Sequence, residues 1–341
     1  MEPVNHQWRL ASRPAGALGR SNFTWHEDAA PEIAEGELLV RTIYLSLDPT
    51  NRAWVSEIPT YLPPVALGDV MRGVTLGIVE RSRAGAFVPG ELVQGMWGWQ
   101  EYGVARASAG VTKIPAVPGV PLAAWGSVLG LTGLTAYVGL LEIGKPKPGE
   151  TVVVSAAAGG VGSIVGQLAK IAGARVVGIA GGPEKCRWLT DELGFDAAID
   201  YKHDDVATAV KRQCPSGVDV LFENVGGAIF DASFAQMNLF GRVVLCGLIS
   251  GYGGKPAPIS PFLLRQMIVK RLRVEGFVIL DHTARLPHAA AELLGWLLEG
   301  RLKYRVDIVP GGLDVAPDAI GKLFDGTDTG KLLVEVSAPP A

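Results

Sequence analysis

The chain has 341 residues, of which 48% are hydrophobic and 19% charged, and its formal net charge is −3. The length allows two ordinary domains with proper cores, and the composition is that of a globular protein, not a disordered or fibrous one. No overall basic field exists to draw in nucleic acid or anionic lipid, so neither is expected as a partner.

The first ten residues carry Glu2, Asn5, His6 and Arg9 and lack an apolar run, so no signal peptide is expected. Strands are predicted over 37–43, 74–80 and 92–95, the last two parted by the turn Pro89-Gly90-Glu91. This half reads as a small, mainly β domain. Trp97, Trp99 and Tyr102 suit either the wall of an apolar pocket or the core of that domain. Tyr61, between Pro59 and Pro63, is a loop candidate. No charge occurs over 114–141, but Gly126, Gly130, Gly133 and Gly139 interrupt the stretch, and Pro115, Pro118 and Pro121 sit in or before it. Buried helices packed closely on other backbone fit better than a membrane span.

After Pro148-Gly149-Glu150 strands and helices alternate. Strands are predicted over 151–155, 175–180, 197–200, 219–223, 242–247 and 273–279. Helices are predicted between them over 161–172, 184–193, 206–213, 229–238 and 261–269. Short apolar runs without polar alternation suit strands buried on both faces, hence a parallel sheet. Six of them with crossover helices make two βαβαβ halves, the doubly wound dinucleotide fold. The basic run Lys270, Arg271, Arg273 reads as a solvated element end. A last helix carries Leu286, Ala290, Leu293, Leu294 and Leu297 on one face and stops at Gly300. Segments 306–309 and 331–336 are again strand-like and are expected to return to the first domain. The fold class is therefore α/β: a doubly wound parallel Rossmann sheet over 125–303, inserted into a smaller β domain made of 1–124 and 304–341.

The strongest motif runs from Val153 through Ala156-Ala157-Ala158-Gly159-Gly160-Val161-Gly162, between a strand and a helix. Ala157, Gly159 and Gly162 occupy the three fingerprint positions. Gly159 lets backbone approach a pyrophosphate, Gly162 allows close packing, and the helix N-terminus offers N–H groups and positive potential. The second strand ends at Ala180-Gly181-Gly182, without the carboxylate that holds the ribose 2′-hydroxyl of NAD, while Lys185 and Arg187 follow. That pattern favours the 2′-phosphate of NADPH, with Lys185 the stronger candidate.

Catalytic zinc needs three protein ligands and a structural zinc lobe four cysteines, yet the first 150 residues hold no cysteine and only His6 and His26, both before the first clear strand. No metal is expected. Cys186, Cys214 and Cys246 are odd in number and widely spread, which suits a reducing, cytoplasmic compartment and not a disulfide framework. No Gly-x-Ser-x-Gly elbow supports a serine hydrolase.

Over nearly its whole length the chain resembles the zinc-independent medium-chain reductases of the leukotriene B4 dehydrogenase, prostaglandin reductase and curcumin reductase group. The resemblance is carried by Leu45-Ser46-Leu47-Asp48-Pro49, Gly133-Leu134-Thr135-Ala136-Tyr137 and the glycine loop. It continues through Glu223-Asn224-Val225-Gly226-Gly227, Cys246-Gly247-Leu248-Ile249-Ser250-Gly251-Tyr252, Glu275-Gly276-Phe277-Val278 and Gly330-Lys331. It implies a GroES-like β domain beside the Rossmann domain, NADPH as cofactor and a homodimer. It further implies that Gly159, Gly160, Val161 and Gly162 hold the pyrophosphate, and Lys185 and Tyr201 the 2′-phosphate. Asn224 would lie near the nicotinamide ribose. Cys246, Gly247, Leu248, Ile249 and Ser250, with Phe277, Val278 and Ile279, would run along the cofactor. Tyr252 matches the tyrosine beside an enone oxygen. The chain departs from the family pattern at Thr50, where a tyrosine is usual, and at Asp328, where an asparagine amide usually meets the cofactor. The expected activity is hydride addition to the double bond of an α,β-unsaturated ketone or aldehyde. Quinone reduction, and a crystallin-like cofactor-binding protein with little turnover, stand as the alternatives.

Overall fold

The computed structural model describes residues 3–57, 60–252 and 260–340. Two compact units emerge, the first made of Met1–Gly126, Val306–Asp328 and Leu332–Ala341, the second of Ser127–Arg305 with Thr329–Lys331.

The first unit begins with a hairpin, β1 (Val4–Leu10) and β2 (Phe23–Ala29), paired in register from Val4↔Ala29 to Leu10↔Phe23. Both early histidines therefore lie on strands, and not ahead of them as expected. His6 Nδ1 meets Glu101 Oε2 at 2.6 Å, and His26 Nε2 meets Thr24 Oγ1 at 3.1 Å. The expectation failed because Asn5 and Gln7 are buried polar residues, so the strand shows no clean alternation. Next come β3 (Glu37–Ser46), helix α1 (Thr50–Trp54), β4 (Thr75–Ser82), β5 (Leu92–Gly95), β6 (Tyr102–Arg106), β7 (Thr112–Lys113) and α2 (Leu122–Trp125). Trp99 is fully buried in one apolar cluster with Leu45, Leu47 and Met71, and Trp97 in another with Val40, Val79 and Val93. Both are core. A Cβ on Gly103 would come within 2.6 Å of Trp97 Cβ, so that glycine makes room for the indole.

In the second unit α3 (Leu131–Tyr137) runs on through a π turn, Val138–Gly144. Its glycines serve close packing. A Cβ on Gly133 would lie 1.8 Å from the Val128 carbonyl, and one on Gly139 2.7 Å from both Phe222 and Phe277. Among the described residues no helix is long and apolar enough to cross a membrane. The alternation then proceeds through β8 (Thr151–Val154), α4 (Gly162–Ile171), β9 (Arg175–Ala180), α5 (Pro183–Arg187), β10 (Ala197–Asp200), α6 (Val206–Gln213) and β11 (Val218–Glu223). It ends with α7 (Gly227–Ala235), β12 (Met237–Leu245), α8 (Pro261–Lys270), β13 (Arg273–Gly276) and α9 (Leu286–Leu298). Capping chemistry sets the helix starts: Asp205 accepts the Thr208 N–H, and Ser260 the Phe262 N–H with Pro261 behind it.

The sheet is parallel with order β10-β9-β8-β11-β12-β13, the doubly wound order in which the first strand lies centrally and the connections reverse between β8 and β11. Two of the boundaries that differ from expectation have their cause in the sheet. Helix α7 ends before Met237, because Val218 pairs with Met237 and takes the Gln236 carbonyl at 2.9 Å. A bulge, with Phe240 at φ +60, then separates this pair from the Val220↔Arg242 ladder. Strand β13 stops at Gly276, and not at Ile279, because its partner β12 ends at Leu245 and an edge strand has no second neighbour. A 3-10 segment, Ile279–Arg285, follows instead.

The chain closes with β14 (Val306–Val309), α10 (Ala316–Ala319), α11 (Gly321–Asp325) and β15 (Lys331–Glu335). These complete a second sheet of order β14-β15-β3-β4-β5-β7, with β6 on β3.

Candidate functional site

In open α/β sheets ligands bind beyond the carboxyl ends of the strands, at the point where the strand order reverses. Here that point lies after β8 and β11. The loop after β8 turns on Ala156, a non-glycine residue at φ +47. A Cβ on Gly162 would sit 2.4 Å from the Ala156 carbonyl oxygen and 2.8 Å from Ala157 Cα, so the helix start presses directly on the loop. A Cβ on Gly159 would meet only the Ala156 oxygen, at 3.3 Å, leaving that face of the loop open. Among the described residues the N–H groups of Val161 and Gly162 take no backbone acceptor, whereas Ser163 N–H bonds to Gly159 at 3.1 Å and Gly159 bridges to Gly330. Unmatched donors at the start of a ten-residue helix are suited to an anion.

Ala157 stands where the fingerprint has its first glycine, and the structure explains why it fits. Its methyl is fully buried against Gly178 on the neighbouring strand, where an added Cβ would come within 2.9 Å of Ala157 Cβ. The extra methyl on the loop is given room by a glycine on the next strand. The clip Thr329–Lys331 closes over the same loop: Gly330, at φ +76, donates its N–H to Ala158 at 3.2 Å.

Beyond β9, Gly181 carries the ring of Tyr201 and the stem of Lys202. An added Cβ would meet Tyr201 Cε1 at 2.8 Å and Lys202 Cε at 3.0 Å. Lys185 lies half-buried on α5, which packs against β10, and Arg187 is exposed. The absence of a carboxylate was read from the β9 end alone, and the structure adds one. Asp200, at the end of β10, accepts the Gly182 N–H at 2.7 Å and the Lys202 N–H at 3.1 Å, and its other oxygen meets His203 Nδ1 at 2.8 Å. Desolvation raises its pKa, but the Gly182 N–H, His203 and the Lys202 N–H outweigh it and hold it below 3.8. Its charge is thus spent on the turn. No sequence signal marked it, since a strand-end Asp reads equally well as solvated.

Past β11, Asn224 donates its N–H to Ser155 Oγ at 2.8 Å and its amide to the Ser155 carbonyl at 2.7 Å, which fixes the side chain against the glycine loop. The turn after β12 is laid on this one. Ile249 N–H bonds to the Asn224 carbonyl at 3.1 Å, and Ser250 gives its N–H and hydroxyl to the Val225 carbonyl at 2.9 and 2.6 Å. Tyr252 folds back over the same turn, its hydroxyl 3.5 Å from the Leu248 N–H. Gly253 and Gly254 beside it lie outside the described residues, as does Pro59 beside Tyr61. Phe277 puts its ring tip on Gly139, Val278 is half-buried and Ile279 is buried.

The loops after β8, β9, β10, β11 and β12, with the stretch from Phe277, are thus brought to one end of the sheet. Asp328 belongs to the first unit, where it is buried with its N–H 3.4 Å from the Lys322 carbonyl. In the first unit too, Thr50 meets a phenol from a distance in sequence: its Oγ1 lies 2.7 Å from Tyr61 Oη.

All three thiols are free, and burial pushes Cys186 and Cys214 up to about 11 and, with Glu223, Cys246 up to about 12. None is a thiolate nucleophile near neutral pH. Among the described residues no group of three or more His, Cys, Asp or Glu could hold a metal ion.

A doubly wound sheet with a glycine loop at its switch point defines a dinucleotide-binding protein. Residues 6–114 match the family model described as the N-terminal domain of oxidoreductase, and 160–297 match that of the zinc-binding dehydrogenases. The chain is 42% identical over 338 residues to the NADPH-dependent curcumin reductase of Escherichia coli (strain K12), covering 98% of this chain and 97% of that one. It is 40% identical over 310 residues to the 2-alkenal reductase (NADP(+)-dependent) of Nicotiana tabacum, covering 90% of each. The crystal structure of CurA from Vibrio vulnificus in complex with NADPH superposes with a TM-score of 0.92 at 42% identity, over 98% of this chain and 100% of that one. The chain belongs to the zinc-independent group of the medium-chain dehydrogenase/reductases.

Proposed function

We propose that this protein is an NADPH-dependent reductase of the carbon–carbon double bond of α,β-unsaturated ketones or aldehydes, working without a metal. The observation that carries the reading is the whole-length similarity to reductases named for NADPH and for alkenals. The glycine loop at the sheet's switch point supports it.

The second unit is the cofactor domain and the first the substrate domain. The loop of Gly159, Gly160, Val161 and Gly162 receives the pyrophosphate, with the N–H groups of Val161 and Gly162 as its donors. Lys185 and Tyr201 receive the 2′-phosphate, Tyr201 being held by its seat on Gly181. Asn224 orients the nicotinamide ribose. Cys246, Gly247, Leu248, Ile249 and Ser250, with Phe277, Val278 and Ile279, line the cofactor, and Asp328 takes the position of the usual amide. When bound, NADPH supplies a hydride to the β-carbon. Negative charge then collects on the carbonyl oxygen, and Tyr252 donates its hydroxyl proton in a hydrogen bond to that oxygen. The α-carbon takes its proton from water. The protein works in the cytoplasm as a homodimer. The exposed Phe262, Ile268 and Val269 of α8, next to the edge strand β13, offer a face for a second copy.

The test is loss of reduced-nicotinamide absorbance with a medium-chain enone and, separately, a simple quinone. Rapid loss with NADPH and enone, slow loss with NADH and no response to added zinc are expected. Turnover of the quinone alone would replace this reading by quinone reduction and remove Tyr252 from it. NADPH binding without turnover of either acceptor would sink the enone reaction and leave the crystallin-like alternative.

A further inference from the structure

Glu223 is a buried acid at the sheet's carboxyl end that the proposed reaction does not use. It ends β11 and is fully buried. Its Oε1 accepts two N–H groups, from Val225 at 2.5 Å and from Gly226 at 2.6 Å, while Oε2 is buried without a partner. A buried carboxyl oxygen with no donor is costly, and its persistence calls for an explanation.

The surroundings provide one. Through Oε1 the side chain closes the 224–226 turn. The carbonyls of that turn, Asn224 and Val225, carry Ile249 and Ser250 of the next turn. Glu223's own carbonyl accepts from Cys246 at 2.9 Å and from Gly247 at 3.1 Å, so the start of the same turn hangs on the same residue. On the other side Asn224 is tied to Ser155, at the root of the glycine loop, by both its N–H and its amide. The loops after three adjacent strands, β8, β11 and β12, therefore meet at residues 223 and 224. Burial raises the carboxyl's pKa against the pull of the Gly226, Val225 and Asn224 N–H groups and the Ser155 hydroxyl, which is the energetic cost of placing an acid there.

We propose that Glu223 is a positioning residue that locks the loops after β8, β11 and β12 into one rigid platform for NADPH and for the turn bearing Tyr252. It touches neither cofactor nor substrate and acts through the 224–226 turn. The inference rests on the NADPH reading above.

The experiment compares Glu223→Ala and Glu223→Gln with wild type, reading NADPH dissociation constant without turnover, kcat and KM with the enone, and melting temperature. The glutamine keeps the length and one acceptor oxygen, and sets an amide where Oε2 has no donor. Glu223→Ala is expected to weaken NADPH binding about 10-fold and to lower kcat about 100-fold, as displacement of a reacting group by about 1 Å would do. Glu223→Gln is expected to recover both to within about 3-fold, since its carbonyl can accept the same two N–H groups. Phe234→Leu serves as the control for a purely structural role, because Phe234 is buried in the core of the same unit, in a cluster with no member from these loops. It should lower the melting temperature and leave NADPH affinity and kcat in place. Should Glu223→Ala fail to fold, Ser155→Ala removes both the acceptor for the Asn224 N–H and the hydroxyl that pulls on the Glu223 carboxyl, and should weaken NADPH binding about 3-fold.

Glu223→Ala, or Ser155→Ala in its stead, that melts lower but binds and turns over like wild type would overturn the proposal. So would a Glu223→Gln no better than Glu223→Ala. Failure of wild type itself to bind NADPH would overturn the cofactor reading along with it, which separates the two.

Discussion

The glycine loop allows a sharp test, because two of its glycines are there for different reasons. Alanine at position 162 places a methyl 2.4 Å from the Ala156 oxygen, 2.8 Å from Ala157 Cα and 3.0 Å from the Ala156 carbonyl carbon, all of them backbone. Ordinary contact needs about 3.4 Å, so the loop must yield by about 1 Å, and overpacking of that kind costs about 1–3 kcal/mol. In a unit of this size that is a fall in melting temperature of about 2–10 °C. The same displacement misaligns the N–H groups of Val161 and Gly162, and NADPH affinity should fall about 100-fold, or about 2.7 kcal/mol. Alanine at position 159 meets only one atom, at 3.3 Å, and the residue's φ is not in the left-handed region. Gly159→Ala should therefore melt within about 2 °C of wild type. Its methyl would nonetheless stand on the open face of the loop and keep a pyrophosphate from the backbone, and affinity should fall at least about 10-fold. Differential scanning fluorimetry gives the melting temperatures, and titration calorimetry with NADPH gives the affinities. Wild-type affinity in Gly159→Ala would refute the assignment of that open face to the phosphates. Unchanged stability in Gly162→Ala would refute the packing argument.

Tyr252→Phe should cost the enone reaction about 10²–10³ in kcat, the usual loss for one donor to a developing oxyanion, with NADPH affinity unchanged. An enone kcat within a few-fold of wild type, measured in single turnover, would remove Tyr252 from the mechanism. Lys185→Ala should weaken NADPH binding about 10- to 100-fold, the worth of one charge-assisted contact, and leave NADH binding where it was. Equal losses for the two cofactors would make the lysine a structural residue. Glu150 and Arg242 join the π turn to the sheet: Arg242 reaches Glu150 Oε1 at 2.9 Å and the Gly144 carbonyl at 2.9 Å. Burial raises the Glu150 carboxyl, but Arg242 and the Lys147 N–H outweigh it and hold it below 4.5. A carboxyl depressed on folding stabilises above its unfolded pKa, and that stability is lost as pH falls through the folded value. This pair's contribution should thus be constant above about pH 5 and decline below 4.5, and Glu150→Gln should lose about 1–3 kcal/mol at pH 7 with a shallower acid slope. Parallel slopes in the two proteins would show that this pair carries none of the acid response.

How far the sequence could be read depended on whether a residue's reason was local or lay across the sheet. The strands β8 to β11 were legible because parallel strands buried on both faces are unbroken apolar runs, and each is bounded by glycine, proline or a capping acid such as Asp205. The start of β12 was not, because Met237 pairs ahead of a bulge at Phe240 and the apolar run of α7 passes into it without a break. The hairpin of β1 and β2 escaped because its inward Asn5 and Gln7 are satisfied by partners far along the chain, Gln100 and Tyr102.

The candidate site divides in the same way. Gly159 and Gly162 announce themselves, since a strand, a glycine turn and a helix in succession have a local cause. That Ala157 is tolerated beside them depends on Gly178, a residue of the adjacent strand. That Gly181 must lack a side chain depends on Tyr201, which arrives from the strand beyond. Asp200 and Glu223 carry the argument furthest. Each is a strand-end acid whose residue type alone does not tell what its carboxyl holds. Each is defined by the backbone N–H groups its carboxyl has captured, Gly182 for one and Val225 with Gly226 for the other. A negative charge turned onto its own loop does not repel the phosphates as an outward one would, so the two acids can stand at an anion site. An alanine at either place should then weaken cofactor binding, where simple charge counting says that removing an acid would strengthen it.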